Sequence, residues 1–340
     1  MTVSNPPHLV AVRPTWAIET GRIDLDGSGF AIDGPVPPAV SVGDLSAQVV
    51  VASSSRLGVI VPPGVGGGRQ TVRVDGIPGE TAFVEIGAPL ATGLHQVDNP
   101  VFDRDGNLYV TYSGARGQKV AVSVFRVSPD GSREPFVSGI VNATSMAFGP
   151  DGALYVSSRF EGAVYRVLAD GTAEPMVTEL GVACGLAFDG DGTLFVGDRS
   201  GTVFRIAPGG QTIPFATLPP SVAAYHLAVG PDHLLYVTAP TLDPHDPVYR
   251  VAADGTVSLV QTGFGRPQGI TFDSQGTLYV VEALAGSSGL YRIGRDGRRE
   301  LAMSGPGLVG IALDPTGGLV VSSNETAYRL DVPVRPLALW

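Results

Sequence analysis

Side chains able to do covalent or acid–base chemistry are sparse in this chain. Cys184 is the single cysteine and Lys119 the only lysine, and there are 5 histidines. A lone thiol forms no intramolecular disulfide and no multi-cysteine zinc site, and a lone lysine leaves little scope for Schiff-base catalysis. Neither a G-x-x-x-x-G-K-[ST] phosphate cradle nor a G-x-S-x-G nucleophile elbow occurs. The remaining candidates are carboxylates, imidazoles and arginines. Glu282 and Asp198 could act as an acid–base set with Arg159 and Arg199 as an anion clamp, or all four could be salt-bridged lining. His226 could serve as a general base or as a hydrogen-bonded internal residue. Cys184 reads first as a small buried side chain and second as a nucleophile. His245, within Leu242-Asp243-Pro244-His245-Asp246, could join two carboxylates on a metal, or simply sit in a solvated loop.

What positions these residues is a repeat. One phrase recurs six times, an apolar run, a tight turn with Asp or Gly, and a second apolar run. The copies are NPVFDRDGNLYV from Asn99, SMAFGPDGALYV from Ser145, GLAFDGDGTLFV from Gly185, HLAVGPDHLLYV from His226, GITFDSQGTLYV from Gly269 and GIALDPTGGLVV from Gly310. Between copies stands a second phrase, an aromatic or aliphatic residue flanking an arginine, as in Phe125-Arg126-Val127 and Tyr165-Arg166-Val167. A short run such as EPFVSG then follows. Each repeat thus predicts four short strands, a to d. Units of roughly 40–45 residues with four strands are propeller blades, and six copies predict an all-β fold with a six-bladed ring.

Residues 1–86 lack the repeat. Their alternating apolar segments, about seven of them, predict a small β-sandwich, and 87–340 are assigned to the propeller. The segment 88–94 resembles the fourth strands of the repeats yet precedes the first copy, so it is expected to supply the outer strand of the last blade. The tail Arg335–Trp340 is the competitor for that place.

Register in the repeat predicts which side chains converge. The a–b turns are uniformly tight, whereas the b–c loops vary from GDRSG to TYSGARGQKVAV. Variable polar loops are where function is usually carried, so the b–c face is expected to meet a small molecule or protein partner. Asp98, Asn99, Cys184, Tyr225 and Gln268 fall at the starts of a strands. Tyr112, Arg159, Asp198, Arg199, Glu282 and Asn324 fall at the ends of b strands. Polar groups meeting at a channel mouth make a default ligand pocket.

Composition narrows the partners. The net charge is −10, which argues against an electrostatic nucleic-acid binder. No apolar run approaches membrane-spanning length, and one lysine makes no basic membrane patch. The opening MTVSNPPHLVAVRPTW has no signal-peptide pattern, so a cytoplasmic location is expected, with a trimmed secreted protein as the alternative.

Two resemblances add expectations. Residues 88–340, with DGTLFVGDRSGTVFRI and QGITFDSQGTLYVVE, resemble the NHL and senescence-marker/gluconolactonase group of propellers. Residues 1–86 resemble the TIG/IPT immunoglobulin-like domains, through Pro14 closing the first strand, the turn LDGSGF (Leu25 to Phe30) and VPPG before TVRV. The gluconolactonase resemblance implies a divalent metal, Ca²⁺, Mg²⁺ or Zn²⁺, polarising a lactone and its attacking water. Carried over residue by residue, its ligand set falls on Asp98, Asn142 and Gln268. The catalytic candidates are then Asp98, His226 and Glu282. Asp98-Asn99-Pro100 stands where the family has Glu-Gly-Pro, Cys184-Gly185-Leu186 where it has Asn-Gly-Leu, and Gln268-Gly269 where it has Asp-Gly. Because these ligands carry over so incompletely, a binding or scaffold role is favoured over a lactonase-like hydrolase.

Overall fold

The computed structural model describes residues 7–34, 36–77, 82–283 and 288–338. Among them all regular structure is β-strand, as the alternating short apolar runs require. No helix is long and apolar enough to cross a membrane.

Five of the repeats each form a separate four-stranded antiparallel sheet. The fifth repeat pairs in the same way, through Pro267–Phe272, Leu278–Glu282, Gly289–Ile293 and Arg299–Ser304. Its outer strand also pairs in parallel with Trp16–Ala17, so that it forms one end of a twelve-stranded sheet. The inner strands are Val101–Phe102, Ala143–Phe148, Ala183–Phe188, His226–Val229, Pro267–Phe272 and Leu308–Leu313. Each packs beside the next, and the last packs beside the first. The arrangement is a β-propeller.

Local chemistry explains the repeated hairpin. Asp103 Oδ1 accepts from the backbone N–H of Asp105 and Asn107 at 2.9 and 2.8 Å. Asp189 and Asp273 do the same in their repeats. The side chain completes a turn that the backbone alone leaves open. Gly106 takes a φ of 82° in that turn. In the fourth repeat His233 holds the same position at 60° and is exposed, so this histidine is a turn residue. Packing follows the two-residue period. Val110, Val156, Val196, Val237, Val280 and Val321, one from each second strand, are all fully buried. Each such side chain stabilises the fold by about 1.5–3 kcal/mol relative to exposure.

Ala88–Thr92 lies antiparallel to Thr326–Leu330, as the outer strand of the sixth repeat's sheet. The C-terminal tail runs elsewhere. Pro336 bridges to Asp273 and the Leu337 N–H donates to the Phe272 carbonyl at 3.1 Å, on the a–b turn side. Leu339 and Trp340 lie outside the described residues, as do 284–287 of the fifth b–c loop.

The N-terminal strands, from His8–Arg13 to Ala82–Ile86, enclose their own core around Ile23, Leu25, Leu57, Val59 and Val72. Trp16–Ala17 was not among the expected strands. Two residues carry no period, and this pair is a strand only because it lies between Glu85-Ile86 and Met303-Ser304.

Candidate functional site

The centre of the ring is built from residues in or just before the inner strands. At one level the chain presents Asn99, Ser145, Gly185, His226, Gly269 and Gly310. A Cβ on Gly269 or Gly310 would lie under 3 Å from backbone of the neighbouring inner strand or of the Asp98–Asn99 segment. Glycine is therefore what lets the strands approach here. His226 stands at that level in the fourth repeat, and its imidazole occupies the middle of the ring. It has no exposed surface. Its Nδ1 is bonded to Asp98 Oδ1, and its Nε2 lies 3.0 Å from Gln268 Oε1. Three repeats thus meet on one ring, and both nitrogens are engaged by protein groups. Asp98 is 2% exposed, and its Oδ1 also accepts the Asn99 N–H at 2.7 Å.

Gln96, which the sequence did not single out, completes the core of this site. It is fully buried. Its Nε2 donates to the Asp98 carbonyl at 2.7 Å, and its Oε1 accepts from the Thr111 N–H at 2.9 Å. No motif marks it, because its partners come from the a–b hairpin geometry rather than from a phrase.

Several candidates are committed to holding the fold. Asn99 donates to the Ile270 carbonyl at 3.0 Å and accepts from the Ile311 N–H at 2.9 Å, which ties the first repeat to the fifth and sixth. Asn142, at a φ of 51°, donates to the carbonyls of Ser113 and Ala115 at 2.6 and 2.8 Å. It also accepts the Gly117 N–H at 2.7 Å. Asp198 accepts from the Val182 N–H at 2.8 Å and from both the N–H and hydroxyl of Ser200. Asn324 donates to the Gln96 carbonyl at 2.8 Å. Tyr225 is fully buried, and its hydroxyl donates to the Pro219 carbonyl. Burial pushes the Cys184 thiol up to about 12, so this cysteine is no nucleophile at neutral pH.

Glu282 is 2% exposed and accepts the Gly265 N–H at 2.8 Å. Burial raises its carboxyl above the usual range, against the opposing pull of that N–H bond, Arg299 and His245. It sits in the fifth repeat, apart from the Asp98–His226 pair. His245 is exposed, while Asp246 is turned onto Thr241, accepting its hydroxyl at 2.7 Å.

The donor set does not fit the implied divalent metal. Hard cations take several oxygen ligands with compensating charge. Here Asp98 and Gln268 are both engaged by one imidazole, and the Asn142 amide is spent on the 113–117 loop. Among the described residues no three His, Cys, Asp or Glu side chains gather closely enough to hold an ion.

Four of the repeated third-strand arginines are held by carboxylates. Arg126 pairs with Glu134, Arg166 with Asp151, Arg292 with Glu300 and Arg329 with Asp314. The b–c mouth differs. Arg159 and Arg199 directly follow their second strands, at the same position, and their N–H groups bond to the Asn142 and Val182 carbonyls. Tyr112 holds that position in the first repeat and is 36% exposed. Its ring meets His95 edge to face, with centroids 6.1 Å apart. A cavity of about 870 Å³ opens on the other side, at the a–b turns. It is lined by Asp98, Asn99, small residues such as Ala147 and Ala187, and the tail residues Pro336 and Leu337. This cavity lies on the face opposite the b–c loops, where the ligand is expected.

The fold is that of a β-propeller protein. No protein-family model matches the chain, and no curated protein matches it. Solved structures do. A putative gluconolactonase matches with a TM-score of 0.62 and 18% identity, over 74% of this chain and 93% of that one. A gluconolactonase from Xanthomonas campestris matches with a TM-score of 0.61 and 16% identity, over 89% and 99% of the two chains. An auxiliary nutrient binding protein from Bacteroides thetaiotaomicron matches with a TM-score of 0.57 and 12% identity, over 96% and 98%. At such identities the likeness is one of fold.

Proposed function

We propose that this chain is a binding propeller, a rigid six-bladed ring that presents a polar b–c mouth to a small ligand or protein partner. In this reading the fifth repeat's four strands are a blade like the others, 87–340 are the ring, and 1–86 are a TIG/IPT-like sandwich that orients it. The observation that carries the reading is the contact of His226 with both Asp98 and Gln268. It spends on one another the groups that a metal-dependent hydrolase would need free.

The second reading is a lactone or ester hydrolase with a degenerate metal site. It draws on the fold shared with gluconolactonases and on the cavity that reaches Asp98. Elemental analysis of the purified protein, with a panel of lactones and aryl esters assayed with added Ca²⁺, Mg²⁺ and Zn²⁺, separates the two. The binding reading expects no stoichiometric divalent ion and no turnover. A bound ion lost together with turnover in Asp98→Ala would replace it with the hydrolase.

A further inference from the structure

Four arginines of the third strands have carboxylate partners, but those at one arc of the b–c mouth do not. Arg116 lies on the loop that Asn142 pins through the carbonyls of Ser113 and Ala115. A Cβ on Gly117, the next residue, would meet the Phe160 ring at 3.0 Å. This loop is therefore seated against the neighbouring repeat's b–c loop, which carries Arg159. Arg199 occupies the equivalent position one repeat further on. Among the described residues none of the three makes an ion pair within 4 Å. Glu161, the nearest acid along the Arg159 loop, accepts the Tyr165 hydroxyl at 3.0 Å. The Arg199 guanidinium donates to the Ser221 carbonyl, at 3.1 Å.

Arg116 and Arg199 lie close enough to act on Arg159. Arg159 is half-buried, and burial first, then Arg199 and Arg116, lower its basicity. The same Arg159 charge, after burial, holds His95 below the usual imidazole range. At the same strand-end position the opposite arc carries Ala239, Ala283 and Asn324. At the strand-end positions the positive charge thus falls on repeats two and three, beside Arg116 of the first, while Arg266, whose carbonyl accepts the Ala283 N–H, stands on the opposite arc; the net charge of the chain is −10. Mutually repelling cations gathered without a counter-charge are relieved by an anion, and guanidinium forks match the geometry of oxyanions.

We propose that Arg116, Arg159 and Arg199 form an anion-binding site for a carboxylate or phosphate group on the ligand. The proposal rests on the binding reading above and names the chemistry of what is bound. The test is isothermal titration of the full chain, at low ionic strength, with inorganic phosphate and with succinate. Saturable one-site binding is expected for at least one of them, weakened tenfold or more in Arg159→Gln and in Arg199→Gln. Binding should be unchanged in Arg250→Gln, which alters an exposed arginine of a third strand. Arg159→Gln removes no side-chain hydrogen bond, so its melting temperature should match that of the parent. Tighter phosphate would assign a phosphoryl ligand, and tighter succinate a carboxylate. No saturable binding of either probe, or equal weakening in all three variants, overturns the site. Anion binding together with lactone turnover would overturn the binding reading and leave the site standing, whereas no binding and no turnover would do the reverse.

Discussion

His226 and Asp98 are 128 residues apart in sequence and bonded at the centre of the ring. The contact joins the fourth repeat to the segment that opens the first. Removing one partner of a buried hydrogen-bonded pair leaves the other unsatisfied, at a cost of about 1–3 kcal/mol. His226→Ala should lose that much stability in urea unfolding. In the double variant with Asp98→Ala the losses should be markedly less than additive, because the stranded carboxylate is gone. Strict additivity would show that the two side chains act independently.

Glu282 gives the protein a pH dependence of known sign. Its carboxyl is raised in the folded state, chiefly by burial. The folded state therefore favours the protonated form. Stability from this group is fully present below the unfolded carboxyl range and is lost as pH rises through the raised folded value. Glu282→Gln keeps an acceptor for the Gly265 N–H. It should flatten the stability profile in the window just above pH 4.5, the group's ordinary value, and should be no less stable than the parent at neutral pH. A variant profile that still falls with the parent's slope there would place the titration on another group.

Cys184 should be chemically silent while the chain is folded. Its thiol is pushed up to about 12 and is 1% exposed. At pH 8 an aromatic disulfide reagent should leave it unmodified over hours and label it within minutes in denaturant. Rapid labelling of the native protein would contradict the buried placement.

Asn142 fixes the 113–117 loop, and Asn142→Ala removes its bonds to Ser113, Ala115 and Gly117. A cost of about 2–3 kcal/mol is expected, since buried backbone groups lose their partners. Hydrogen exchange should accelerate at Gly117 with little change in the fourth and fifth repeats. Unaltered exchange at Gly117 would show that other contacts hold the loop.

Ring closure can be tested by truncation. A chain beginning at Gly87 keeps Ala88–Thr92 on the last sheet and should still unfold cooperatively. It should be less stable, because Met303 and Ser304 lose the Trp16–Ala17 edge. A chain beginning at His95 should lose cooperativity, since the strand Thr326–Leu330 is left with an unpaired edge. Equal behaviour of the two truncations would move closure to another segment.

The primary sequence by itself determined the strands, the repeat and the turns, because these rest on neighbours in the chain. The two-residue apolar period, the Asp side chains that cap their own hairpins and the turn glycines act over a few residues and read directly from the phrase. Even Ala88–Thr92 was legible, since it repeats the pattern of the other fourth strands. Tertiary structure alone decided what the polar residues do. Asp98, His226 and Gln268 belong to three repeats, and their contact exists only once the ring has closed. Asn99, Asn142, Asp198 and Asn324 stood at ligand positions by register, yet each meets backbone groups from a distant loop or strand. A buried backbone N–H or carbonyl must find a partner, and where loops differ in length that partner is set by three-dimensional packing, which no local spacing encodes. For the same reason the arginines of the mouth look like Arg126, Arg166, Arg292 and Arg329 of the third strands and differ in whether a carboxylate is folded against them.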